Sequence, residues 1–429
     1  MIGTRSVLAV LTVLWTLLLA DTALAMPEFA RRYNFSCSVC HDAFPRLNAF
    51  GESFADMNYK LPNWRTSNTL ELGDERLALP ARPPFAIRMQ AYVQARDGED
   101  IDPALGPTGN DSDFDFQAPY LIKLLSSSPL SENVTYYFYG IFAEKGANGE
   151  TLIEDAWFRH GDLFGTGAGL QLGQFQVSDL MFPREVRLTF QDFYAYRAAG
   201  ITYDRGVIVD RGIGEFDVAV GAVNGNGITD NFDIDSPGFR RPDAMFDNDN
   251  RKSFFGRVGI PAGPVDVGVF ALAGEQRSAG GFAGTARGTR DTDKSILGLD
   301  FAGTLPSGRV HWYAQVLWNE WEDFLDAAPG RDFDWTGMFG GVDYIRNDRW
   351  SFSVLYNYAD AGDFDGTGTV YEGIDINSLT FNASYYLMRN IKAVFEINAD
   401  LLDTDHGGPP FVGHQTKEHY VLVGFDMAL

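Results

Sequence analysis

The chain has 429 residues and a formal net charge of −24, with 34 Phe, 18 Tyr, 8 Trp and 46 Gly. Such an acidic balance argues against nucleic acid and against tight adhesion to anionic lipid, and it favours attraction of cations. Many aromatics combined with many glycines suit numerous strands, each with one apolar face, joined by Gly- and Asp-rich turns.

The first 25 residues read as a secretory signal peptide. Arg5 supplies a positive start, "VLAVLTVLWTLLLA" (7–20) an apolar stretch, and Ala23-Leu24-Ala25 an A-x-A cleavage site. This stretch is too short and wrongly flanked to span a bilayer. The mature chain is expected to begin near Met26. No later stretch is long and apolar enough for a transmembrane helix.

Residues 26–80 form the next unit. The segment "NFSCSVCHDAF" (34–44) holds the only two cysteines, Cys37 and Cys40, and His41 follows directly. C-x-x-C-H is the attachment signature of c-type haem. Two thiols at this spacing reach the two vinyl groups of one porphyrin and form thioethers. The adjacent His41 is then held under the iron as proximal ligand. Three other readings compete. A redox C-x-x-C pair belongs in a βαβ context that this chain lacks. A structural zinc needs four ligands, and no second Cys/His pair stands at suitable spacing. A plain Cys37–Cys40 disulfide is the third. The expected cofactor is one covalently bound haem c.

Two short helices are expected between Pro27 and Leu61, the second opening at Pro45 in "PRLNAFGESFADM". Met57 on that helix is a candidate distal iron ligand, because a Met/His pair raises the potential. Ordinary helix packing explains Met57 equally well. Residues 63–84 read as a polar linker.

From Phe85 the pattern changes to period two, opening a region (81–429) expected to be an outer-membrane β-barrel. In "FAIRMQAYVQAR", Ile87, Met89, Ala91 and Val93 point one way, and Arg88, Gln90, Tyr92, Gln94 and Arg96 the other. Similar runs recur, among them "NVTYYFYGIFA" (133–143), "RVHWYAQVLWN" (309–319), "NSLTFNASYYL" (377–387) and "HYVLVGFDMAL" (419–429). With less regular runs near 116–125, 151–160, 167–176 and 193–204, about sixteen strands result. Tight connections such as "PAGP" (261–264), "PSG" (306–308) and "NDR" (347–349) alternate with long loops at 97–113, 224–251, 275–294, 320–336, 360–376 and 402–416. Short turns on one side and long loops on the other is the arrangement of outer-membrane barrels, with the long loops outside. In lipid every backbone donor and acceptor must pair internally, and closure removes open edges. The fold expected is mainly β, an antiparallel transmembrane barrel with a small α-helical haem plug. Gly424, Met427 and Leu429 resemble the C-terminal strand signal read by barrel assembly machinery, with Leu in place of the usual Phe.

His311 is a second candidate distal ligand. Val310, Trp312, Ala314 and Val316 share the apolar face of its strand, which turns His311 to the lumen with Tyr313 and Gln315. A lumenal polar residue is equally expected of any barrel. His160 sits near a strand end, and His406, His414 and His419 near an outer loop.

The segment "PEFARRYNFSCSVCHDAFPRLNAFGESFADMNY" (27–59) resembles the fused monohaem cytochrome–porins of the outer membrane, whose best-known members are iron(II) oxidases. The match includes Pro27, Phe29, Ala30, Arg31, Cys37, Cys40, His41, Pro45, Leu47, Phe50, Gly51, Phe54 and Tyr59. The resemblance implies covalent haem, a barrel embedding the cytochrome, and electrons passing from an extracellular donor to a periplasmic c-type cytochrome. Glu52 stands where the iron oxidases resemble one another in having arginine, and Arg32 replaces a polar amide, so Fe2+ is one candidate donor among others. Acidic loops would concentrate such a cation: Asp97, Glu99, Asp100, Asp102, Asp111 and Asp113 in one, and Glu320, Glu322, Asp323, Asp326, Asp332 and Asp334 in another. The donor is expected to meet haem near the outer mouth. Two alternatives stand beside this: a passive diffusion porin with a Cys37–Cys40 disulfide, and outward electron delivery to an extracellular acceptor.

Overall fold

The computed structural model describes residues 33–41, 46–61, 69–71, 78–80, 84–97, 99–102, 106–111, 114–144, 152–184, 188, 190–225, 250–388, 390–402 and 419–428. The expected signal peptide, Pro45, His406, His414, Leu429 and most of loops 224–251 and 402–416 lie outside the described residues. No described helix is long and apolar enough to cross a membrane.

Sixteen antiparallel strands form one closed barrel. They are β3 (Phe85–Asp97), β6 (Asp115–Pro129), β7 (Val134–Glu144), β8 (Leu152–His160), β9 (Gly169–Gln176), β10 (Tyr203–Ile213), β11 (Phe216–Val223), β12 (Ser253–Ala262), β13 (Val265–Gly280), β14 (Ala286–Thr304), β15 (Val310–Trp321), β16 (Phe333–Ile345), β17 (Trp350–Asp360), β18 (Ile376–Met388), β19 (Ile391–Asp400) and β20 (His419–Ala428). Two short pairs stand apart, β1 (Thr69–Glu71) with β2 (Ala78–Pro80) and β4 (Glu99–Asp102) with β5 (Gly106–Asp111). Closure runs through β20 and β3, from His419 opposite Asp97 to Ala428 opposite Arg88.

Alternation places apolar side chains outside. On β20, Val421, Val423 and Phe425 are exposed, while Tyr420, Leu422 and Asp426 are buried. On β18, Ser378, Thr380, Asn382 and Ser384 face inward and Leu379 and Phe381 outward. Apolar outside and polar inside is the inverse of a soluble barrel and fits lipid as the outer solvent. Near the short-turn end Trp350 stacks on Phe352 at 5.6 Å and packs tilted against Tyr385 at 4.6 Å, where an aromatic girdle belongs.

Three expectations are corrected. The run 193–204 is not a strand: Tyr194–Ala198 is a short helix inside the lumen, and the strand is β10, beginning at Tyr203. An apolar run buried on all sides has the same local pattern whether helix or strand. The 275–294 segment is not a loop but the continued β13–β14 ladder, paired to Ala279 opposite Arg287 and Gly280 opposite Ala286. The polar linker carries the β1–β2 pair.

Two segments fill the lumen. The described residues of 177–202 leave β9 at the long-loop end and fold inward. Phe193 stacks on Phe339 at 4.8 Å, and Met181, Leu188 and Tyr196 are fully buried. The wall also grips this backbone: Gln191 N–H donates to Glu396 at 2.9 Å, Tyr194 N–H to Asn357 at 3.2 Å, and Asn357 Nδ2 to the Asp192 carbonyl at 3.0 Å. The second segment is the N-terminal unit, at the opposite end.

Candidate cofactor site

The N-terminal unit contains α1 (Cys37–Cys40) and α2 (Ala49–Asp56). The second helix begins at Ala49, not at Pro45, because Asn48 caps it: its Oδ1 accepts from Gly51 N–H at 2.9 Å. Asn48 also ties the helices together. Its Nδ2 donates to the Val39 carbonyl at 3.1 Å and its N–H to the Cys40 carbonyl at 2.8 Å. Gly51 is required by close approach, since a Cβ there would stand 2.2 Å from the Cys40 carbonyl oxygen.

Cys37, Cys40 and His41 come together on one cavity of about 550 Å3, within the usual size of a cofactor site. Phe35, Leu47, Gly51 and Phe54 of the plug form its apolar side; Arg88, Tyr137, Trp157 and Arg159 belong to the barrel wall. Tyr137 and Trp157 stack at 5.3 Å, and Tyr59 packs on both. Arg159 forks onto Asp210 at 2.6 and 2.7 Å. Both cysteines are free thiols. Burial pushes the Cys40 thiol up to about 11, with Cys37 beside it adding to the rise, and burial raises Cys37 as well.

His41 is oriented by its own chain. Its Nδ1 lies 3.1 Å from the Arg46 carbonyl, and its backbone pairs with Leu47. A histidine that gives Nδ1–H to a carbonyl presents Nε2 to a metal. Arg46 in turn reaches the wall. Its Nε donates to Asp343 at 3.0 Å and its Nη2 to Ser353 at 3.1 Å, all three residues being buried.

The donor set fits a c-type haem. Two thiols at C-x-x-C spacing and an oriented imidazole share one cavity. Cys37 and Cys40 would hold the porphyrin and His41 the iron. The two distal candidates are not brought to this cavity. Met57 is the C-cap of α2 and is absent from the described lining. His311 faces the lumen from β15, bonded through Nδ1 to Thr304 Oγ1 at 3.0 Å, also off the cavity. His160 Nδ1 accepts from Asp162 N–H at 3.3 Å, and His419 Nδ1 from Asp400 N–H at 3.2 Å.

The motif lies at the short-turn end of the barrel, not near the long loops. Asp343 and Ser353 flank the 346–349 turn, and Asn58 Nδ2 reaches the Asn133 carbonyl in the 130–133 turn at 3.2 Å. The plug is tethered to the start of β3, which sets its end of entry. The acids of loop 320–336 are partly spent within the loops. Arg290 binds Asp323 and Asp326, and Asp323 and Asp334 N–H donate to Asp332 and Asp363 at 3.1 and 3.0 Å. Among the described residues no cluster of three or more His, Cys, Asp or Glu has metal-site geometry. Side chains of loop 97–113 lie outside the described residues.

The barrel is similar to solved outer-membrane channels. The DcaP channel of Acinetobacter baumannii matches with a TM-score of 0.52 and 13% identity, covering 80% of this chain and 96% of that one. OmpT of Vibrio cholerae, in its trimer form, matches with a TM-score of 0.51 and 12% identity, over 80% and 98% of the two chains. OmpF of Salmonella typhi, in complex with daunomycin, gives 0.50, 10%, 80% and 97%. Identities this low establish the barrel fold alone. No protein-family model and no curated protein matches the sequence.

Arg46, Asn48, Asp343 and Ser353 are site residues that pattern reading passes over. The signals were present: Asn48 stands three residues before Gly51, and Asp343 is an acid at an inward position near a strand end.

Proposed function

We propose that this chain is a haem-plugged barrel of the bacterial outer membrane that carries electrons between an extracellular donor and a periplasmic c-type cytochrome. The observation that carries the reading is His41, oriented through Nδ1 by the Arg46 carbonyl and facing, with both thiols, a cavity inside a closed barrel. When bound, haem supplies a one-electron couple. The protein's part is to attach it through Cys37 and Cys40, to orient the iron ligand His41, and to keep water and solutes out. Burial of lumenal polar groups supports the last role: Gln90, Asp300, Asn357, Asn382 and Glu396 are at most 1% exposed. A water-filled channel leaves such groups wet. The cavity's place at the short-turn end favours exchange with a periplasmic carrier. Fe2+ is the donor to test first, and outward delivery of electrons uses the same parts in reverse.

A second reading is passive diffusion through the barrel, favoured by the likeness to the DcaP channel. Proteoliposomes separate the two. With oxidised cytochrome c trapped inside and Fe2+ complexed by an impermeant chelator outside, the first reading predicts reduction of the trapped cytochrome with background ion conductance. Porin-like conductance without reduction supports the second.

A further inference from the structure

We propose that Arg46 and Asp343 are positioning residues through which the barrel wall sets the electronic character of His41. The proposal rests on reading Cys37, Cys40 and His41 as a haem site.

Arg46 has two jobs in one residue. Its carbonyl oxygen is the partner of His41 Nδ1 at 3.1 Å. Its guanidinium is clamped to β16 and β17. Nε donates to Asp343 at 3.0 Å, Nη2 bonds both Asp343 and Ser353, and the guanidinium lies 5.1 Å over the Tyr313 ring. Arg46 and Asp343 are each 1% exposed, so this ion pair is shielded and poorly screened. A fork of two parallel bonds fixes direction as well as distance. The carbonyl that His41 uses is therefore restrained by a buried pair whose loss is costly.

The consequence is chemical. The stronger the Nδ1–H bond to its carbonyl, the more basic the opposite ring nitrogen, and second-shell partners tune a metal centre in this way. A basic axial ligand favours the oxidised metal and lowers its potential. The wall would then be part of the redox unit and not a passive container. One other plug–wall bond lacks this connection. Thr135 Oγ1 donates to the Asn58 carbonyl at 3.0 Å, beyond α2 and away from His41.

The experiment uses the purified full-length holoprotein. Covalent haem per chain and midpoint potential are measured for the parent, Asp343→Asn, Arg46→Lys, Asp343→Glu and Thr135→Val. The expected result is haem content within about twofold of the parent throughout, because both thiols are untouched. The potential shifts positive in Asp343→Asn and Arg46→Lys, partly recovers in Asp343→Glu, and stays at the parent value in Thr135→Val. If Asp343→Asn fails to insert in the membrane, Ser353→Ala is read in its place. Parent-like potentials in the clamp variants, or an equal shift in Thr135→Val, overturn the proposal and leave the haem site standing. A parent chain without covalent haem overturns the haem site and this proposal together.

Discussion

The two occupants of the lumen are held by different physics. The described residues of 177–202 enter from the long-loop end and are held by aromatic packing, with Phe193 touching Tyr196, Tyr313 and Phe339, and by wall hydrogen bonds to their backbone. The plug enters from the short-turn end and is held by one aromatic contact, Tyr59 on Tyr137 and Trp157, and by polar links: Arg46 to Asp343, Thr135 to Asn58, and Arg184 to Glu52 and Asp56. One is barrel core. The other is a docked unit with little core of its own, as expected for some 30 described residues carrying two short helices. Directional bonds hold a small docked unit in one orientation, whereas apolar burial supplies bulk stability without direction.

The sharpest way to separate the two regions is to remove the donor set. Cys37→Ser with Cys40→Ser should abolish covalent haem on a stained denaturing gel while the barrel keeps its heat-modifiable mobility. Loss of the folded barrel in that variant would mean that the plug is core after all. Phe193→Ala should do the reverse. Removing a fully buried ring costs about 3–5 kcal/mol, read as a lower Tm and a raised ion conductance, with haem still attached.

Gly51→Ala comes next. The new Cβ meets the Cys40 carbonyl, and overpacking of that kind costs about 1–3 kcal/mol. Haem loading should fall severalfold with the barrel Tm unchanged. Equal loading in parent and variant would show that α2 moves freely against the motif.

The smallest effect is a pH dependence of docking. Burial pushes the Glu52 carboxyl up to about 8, against the pull of Arg184 and with help from Asp56. A carboxyl raised on folding binds its proton more tightly in the docked plug than in a released one. Docking is then strongest below the ordinary carboxylate range and weakens as pH climbs toward 8. Hydrogen exchange of α2 amides should quicken over that window, and Glu52→Gln should flatten the trend. A slope of opposite sign would show that the Arg184 ion pair dominates.

These contrasts also explain what the sequence could reveal. Strand number was legible because lipid outside and polar groups inside impose strict alternation, as on β18 and β20. The C-x-x-C-H spacing is a local signal, and the structure brings Cys37, Cys40 and His41 onto one cavity. Tyr194–Ala198 was not, since a segment buried from all sides has no period to betray it. The β13–β14 extension was hidden because beyond the lipid its pairing needs no apolar face. The Arg46–Asp343 clamp was hidden for a third reason: its partners lie 297 residues apart, and only the closed barrel brings them together.

The central claim is a covalent porphyrin on the plug. An alkaline pyridine haemochrome spectrum of the purified chain, taken after acid–acetone extraction, tests it most directly. The account predicts one c-type haem per chain that resists extraction. A colourless chain in which Cys37 is joined to Cys40 by a disulfide would contradict it.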